Sequence, residues 1–305
     1  MCAGLLPKAR SRVLQDALDR FTETISQESA PRIRIVYSTN AERPSNAMAQ
    51  HVAVLDASFN PPTRAHLALA KLPRSVEDKK LQFDAHMLIF SVRNADKGKG
   101  RPGDASVLQR LEMVELLARQ LERDLPSPNI SVALVDEPLV FAKSTLIHSY
   151  WDQSPAPRLY WLMGSDTITR VFQSKYYGSQ ARLEQWTSQF FQEEQSVIVC
   201  AERPKESSQG NAQNAQQSSL QQESEEVRQL LASPGPAHDW YERGSIQLRT
   251  IDPNAAWQSS TAVRKFLRTS QPNSPSKEQL SNMVPDTLVD YLLTRGIYDE
   301  PLPEP

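Results

Sequence analysis

Only two cysteines occur in the 305 residues, Cys2 and Cys200. They lack metal-ligand spacing and offer no disulfide framework, which suits a reducing compartment. The net charge is -2, so the chain has no global basic field of the kind that draws a protein to nucleic acid or a membrane surface, and phosphate recognition must be local. No stretch approaches a membrane span. Neither G-x-x-x-x-G-K-[ST] nor G-x-G-x-x-G is present, which argues against a P-loop ATPase and a Rossmann dehydrogenase. No internal repeat is visible. Lys8, Arg10 and Arg12 stand near the N-terminus without acids, but Asp16 and Asp19 soon follow. That composition favours cytoplasmic or nuclear placement over a mitochondrial transit peptide.

A hydrophobic content of 39% is enough for an α/β core. Leu14, Leu18, Phe21 and Ile25 recur at helical spacing, and a strand is expected at 33–37. This N-terminal extension with its linker occupies 1–48. Apolar runs at 52–55, 85–92, 130–135, 159–163, 196–200 and 246–250 alternate with helical patterns at βαβ spacing. The expected fold is therefore a doubly wound, Rossmann-like parallel sheet. The core spans 49–203 and resumes at 241–299, with a tail at 300–305. Between them, 204–240 is Gln/Ser-rich and nearly free of apolar residues over most of its length. It reads as a disordered insertion, because it cannot bury enough surface to offset its ordering entropy. A helix with Pro285 at N1 and Gly296 at its end closes the chain.

The rest of the chain is organised around 51–66. Val52 to Leu55 form a buried strand ended by Asp56, Pro61 and Pro62 stop further pairing, and Thr63 is an N-cap for a helix from Arg64. His66 then falls in the first turn, where unpaired N–H groups and the positive dipole end favour a phosphate.

The segment S-F-N-P-P-T-x-x-H-L resembles the G-x-F-x-P-x-[HT]-x-x-H signature of the HxGH-motif nucleotidyltransferases. It is most similar to the nicotinamide mononucleotide adenylyltransferases, of the fungal type. Thr63 matches the first histidine of that motif and His66 the second. Ala57 replaces the usual Gly, a costly exchange if the backbone there has positive φ or must approach ATP very closely. Three further segments follow in the family's order. The loop 93–103 carries Lys97 and Lys99, matching the segment that reaches over substrate phosphates. Gly164-Ser165-Asp166 matches G-[AS]-D, with Asp166 as a ribose-hydroxyl acceptor. Ser259-Ser260-Thr261-x-x-Arg264 matches I-S-S-T-x-x-R, with Gln258 in the Ile position.

The resemblance implies adenylyl transfer from ATP to nicotinamide mononucleotide (NMN), giving NAD and pyrophosphate. It implies His66, Lys97 and Arg264 as catalytic residues. ATP would meet Ser58, Phe59, Thr63, His66, Lys99, Gly164, Asp166, Ser259, Ser260, Thr261 and Arg264. NMN would meet Ser58, Phe59, Lys97, Phe141, Ser144 and Thr145, with Tyr176, Tyr177 and Trp186 competing to stack on its ring; of these, Tyr177 and Trp186 are taken as contacts. Mg2+ is expected to arrive through ATP phosphates, because the sequence has no dedicated carboxylate cage. A protein partner for 204–240 and a homo-oligomer both stay open. So do ATP hydrolysis, another phosphorylated acceptor, and a weakly catalytic binding module.

Overall fold

The computed structural model describes residues 5–25, 32–40, 49–75, 77–78, 81–92, 103–151, 156–202, 215–269 and 275–298. Helix α1 (Lys8–Thr24) leads into β1 (Ile33–Ser38), followed by β2 (His51–Asp56), α2 (Arg64–Ala70), β3 (Ala85–Ser91), α3 (Val107–Asp124) and β4 (Ile130–Val135). Then come α4 (Val140–Tyr150), β5 (Arg158–Gly164), α5 (Ser165–Val171), α6 (Gln180–Ser188), a π-helical turn at Gln189–Glu193 and β6 (Val197–Glu202). The chain continues through α7 (Ala215–Ala232), α8 (Pro236–Glu242), β7 (Ile246–Thr250), α9 (Pro253–Ala256), α10 (Ser260–Thr269), α11 (Lys277–Ser281) and α12 (Asp286–Arg295).

The strands form one sheet in the order β1-β4-β3-β2-β5-β6-β7. Every neighbouring pair is parallel except β1 with β4. From β2 the chain winds to β3 and β4 on one side and to β5, β6 and β7 on the other, so β2 and β5 flank the topological switch point. The central strands are buried on both faces, with Val52 and Val54 on one side and Ala53 and Leu55 on the other. Helices α1, α2, α3, α10 and α12 cover the second of these faces. Helices α4 to α8 cover the first. Among the described residues, no helix is long and apolar enough to cross a membrane.

Three expectations are corrected. The N-terminal extension is part of the sheet: β1 lies antiparallel on β4, and Arg10 of α1 holds the buried Glu115 of α3 at 2.7 Å. In the segment 204–240, expected to be disordered, 215–232 and 236–240 are helical, while 204–214 lies outside the described residues. The ordering has a local cause. Val227 and Leu231 fall one turn apart and are buried in the core on the face covered by α4 to α8, and Arg228 reaches Glu202 at the end of β6 at 3.1 Å. A few well-spaced apolar residues suffice when a prepared surface receives them. Finally, Pro285 is the N-cap of α12 and not its first residue, while Gly296 does end it, at φ 56°.

Candidate functional site

The C-terminal ends of β2 and β5 open into a cavity of about 590 Å³, between the helical layers on the two sheet faces. That volume suits a ligand of nucleotide size.

One wall is built by the motif turn. After Asp56 the chain leaves the sheet, and Phe59 takes a left-handed φ of 46°, unusual for an aromatic residue. Ala57 does not have a positive φ, so its methyl carries no conformational cost of that kind. The Phe59 ring is fully buried in the core, 5.5 Å from the His66 ring. Asn60, before the cis Asn60–Pro61 bond, is also buried, and its Oδ1 accepts from Tyr298 (2.7 Å) and the Ala105 N–H (3.2 Å). Burial pushes the Tyr298 phenol well above its ordinary pKa, so it serves as a permanent donor. Arg110 holds the turn from α3, donating to the Ser58 carbonyl at 2.8 Å.

The second segment of this wall comes from about 200 residues away and is hydrogen-bonded to the turn at three points. The Thr63 hydroxyl donates to the Gln258 carbonyl at 3.1 Å. Ser260 donates to the Pro61 carbonyl at 2.7 Å, and Arg264 to the Asn60 carbonyl at 2.5 Å. Ser259 caps α10 by accepting from the Ala262 N–H at 3.1 Å. His66 is the third residue of α2, and its Nδ1 accepts from the Thr63 backbone N–H at 3.1 Å. The Thr63 hydroxyl oxygen stands 2.9 Å from the same Nδ1, and where Nδ1 accepts from the backbone the neutral, cavity-lining ring carries its proton on Nε2.

The opposite wall belongs to α4, α5 and the 174–177 turn. Asp56 at the end of β2 pairs with Lys143 of α4 and accepts from Ser91 at 3.4 Å. Asp166 pairs with Arg170 at 2.7 Å on the cavity rim. Tyr176 and Tyr177 add aromatic surface, the Tyr177 hydroxyl donating to the Val171 carbonyl at 2.9 Å. Glu223 of α7 also faces the cavity, so the segment expected to be disordered contributes to its wall.

Of the residues selected from sequence, Ser58, His66, Gly164, Asp166, Tyr177, Ser259, Ser260, Thr261 and Arg264 line the cavity. Lys97 and Lys99 lie outside the described residues. Six others lie off its wall. Thr63 is buried beneath the turn and Phe59 in the core. Phe141 packs among Tyr177, Phe190 and Phe172, because an apolar residue on α4 facing the sheet gains more from the core than from a solvent-filled cleft. Ser144 and Thr145 both donate to Glu194 at 2.5 Å. These two hydroxyls anchor the end of the π-helical turn rather than a ligand. Trp186 of α6 packs against the same core and also stays off the wall. The charged wall residues left unassigned from the sequence are Asp56, Arg110, Lys143, Arg170 and Glu223. Lys143 follows Phe141 by two positions on a mostly apolar helix, and a charge in that setting was its only signal.

No protein-family model matches the chain. A curated relative from Schizosaccharomyces pombe, named "Putative nicotinamide mononucleotide adenylyltransferase", is 31% identical over 153 residues. The match takes in 50% of this chain and 53% of the relative, so the chain spans about half the length of that protein. A solved structure, "Plasmodium falciparum nicotinic acid mononucleotide adenylyltransferase complexed with APC", aligns over 82% of this chain and 98% of its own, at 15% identity and a TM-score of 0.44.

Proposed function

We propose that the protein transfers the adenylyl group of ATP to the phosphate of a pyridine mononucleotide, NMN, releasing pyrophosphate and forming NAD. The observation that carries this reading is the joining of 58–66 to 258–264 by three hydrogen bonds beside a nucleotide-sized cavity at the switch point. Two segments far apart in sequence become one polar wall. The similarity to the fission-yeast relative named for this activity lends further support.

The acceptor phosphate is already ionised, so no general base is needed. Its oxygen attacks the α-phosphorus in line, a P–O bond forms, and the bond to the leaving pyrophosphate breaks. The protein's part is to align the groups and offset charge that grows on the α-phosphate and pyrophosphate. His66 Nε2–H serves the α-phosphate. Arg264 and the N-terminus of α10, capped by Ser259, serve the β and γ oxygens. Lys97 and Lys99 would join from the 93–103 loop.

Mg2+ would neutralise phosphate charge. Of the carboxylates on the wall, Asp56 pairs with Lys143 and Asp166 with Arg170. Among the described residues no group of three or more His, Cys, Asp or Glu could hold a metal. Such a donor set fits an ion carried mainly by phosphate oxygens and water. Direct product analysis with ATP, Mg2+ and NMN tests the reading. NAD and pyrophosphate in equal amounts are expected; release of ADP and phosphate, or no turnover, would overturn it.

A further inference from the structure

Asp56 and Lys143 form an ion pair on the cavity wall with their side chains only 16% and 4% exposed. Removing two charges from water is expensive, and the pair is not needed to close the core, since an apolar pair of similar volume would fill the site as well. Among the described residues its valences are also unfilled. Lys143 has three ammonium hydrogens and Asp56 takes one; Asp56 has about four acceptor positions, and Lys143 and Ser91 take two. A donor and an acceptor of opposite charge therefore stand side by side facing the cavity. Tyr176, Tyr177 and the aliphatic Leu139 and Val140 lie on the same wall and suit a flat ring.

We propose that the Asp56–Lys143 pair selects the carboxamide form of the pyridine mononucleotide over its carboxylate form. This rests on the adenylyl-transfer reading above. A primary amide matches the pair at both points: its oxygen accepts from Lys143 and its NH2 donates to Asp56. A carboxylate can satisfy Lys143 with one oxygen, but its other oxygen meets Asp56 with no proton between them. In a site sheltered from water that contact is repulsive. Discrimination thus comes from a built-in clash as well as from a fitted contact.

The test compares kcat/KM for NMN and nicotinic acid mononucleotide at saturating ATP and Mg2+. The wild-type chain should prefer NMN by roughly tenfold or more. Asp56→Asn replaces the repelling oxygen with an amide and leaves Lys143 to attract a carboxylate, so the preference should vanish or invert. Because that variant leaves a buried cation, the double variant Asp56→Asn/Lys143→Met, which removes both charges, is measured beside it. Its ratio should fall to within about threefold of unity. Equal use of both acceptors by the wild type, or an unchanged ratio in a folded variant, would overturn the proposal. The adenine edge offers the same alternation of donor and acceptor. A variant whose KM for ATP rises while the acceptor ratio holds would assign the pair to adenine and overturn the proposal too. Product from neither acceptor would remove the adenylyl-transfer reading and this inference with it. Product from both at equal efficiency would remove the inference alone.

Discussion

The two walls of the cavity are built on opposite principles. The wall made by 57–66 and 258–264 consists of turns and helix starts, where backbone groups lack regular partners and polar side chains must supply them. Thr63, Ser260 and Arg264 do so across about 200 residues of sequence. The wall made by α4 and the 174–177 turn is the edge of a packed layer. There the large apolar residues turn inward, and the cavity receives what the core rejects, Lys143 and the flank of Tyr177. A polar residue on a turn can therefore be assigned to a site from sequence more safely than an aromatic on a helix.

This contrast can be broken most forcefully at Phe141. Replacement by Ala should cost about 3–5 kcal/mol of stability, as for other buried Phe side chains. Acceptor KM should stay unchanged in the protein that remains folded. A variant of normal melting temperature with a raised acceptor KM would return Phe141 to the binding site. On the other wall, His66→Ala should lower turnover by on the order of 100- to 1000-fold with ATP still bound. It should also cost ~1 kcal/mol through the lost acceptor for the Thr63 N–H. Thermal melting and NAD formation, measured together, separate the two effects; near-normal turnover in folded protein would reduce His66 to its capping role.

Arg264→Ala should raise the KM for ATP by roughly 10- to 100-fold, corresponding to about 1.5–3 kcal/mol for a charge-assisted contact. Lys should restore only part of it, since it lacks a planar fork able to meet the Asn60 carbonyl and a phosphate together. Unchanged ATP kinetics would show that Arg264 only fastens the turn. The smallest effect is expected at Ser260→Ala, which removes the bond to the Pro61 carbonyl. About 1 kcal/mol of stability should be lost, with at most a few-fold change in turnover. A loss as large as that at His66 would mean that the staples themselves set the catalytic geometry.

The sheet was legible because its strands are short apolar runs ending in turn residues, a pattern that needs no partner to be recognised. The cap at Thr63 and the αL end at Gly296 were legible for the same reason, being satisfied within a few residues. The helix at 215–232 was not, because Val227 and Leu231 signal order only once the core on that sheet face offers a surface to bury them. The antiparallel placement of β1 was equally hidden: an edge strand's direction depends on which neighbour it meets, here β4.

By itself, the sequence determined the alternation of strands and helices, the turn after β2 and the residue types gathered at it. Each of these follows from local periodicity, proline chemistry and capping. Only the tertiary structure decided that Asp56 meets Lys143, that Phe141 serves the core and that Glu223 of α7 joins the cavity wall. Those outcomes depend on competition between burial and hydrogen bonding among elements distant in the chain, and that competition is settled only when the two layers close on the sheet.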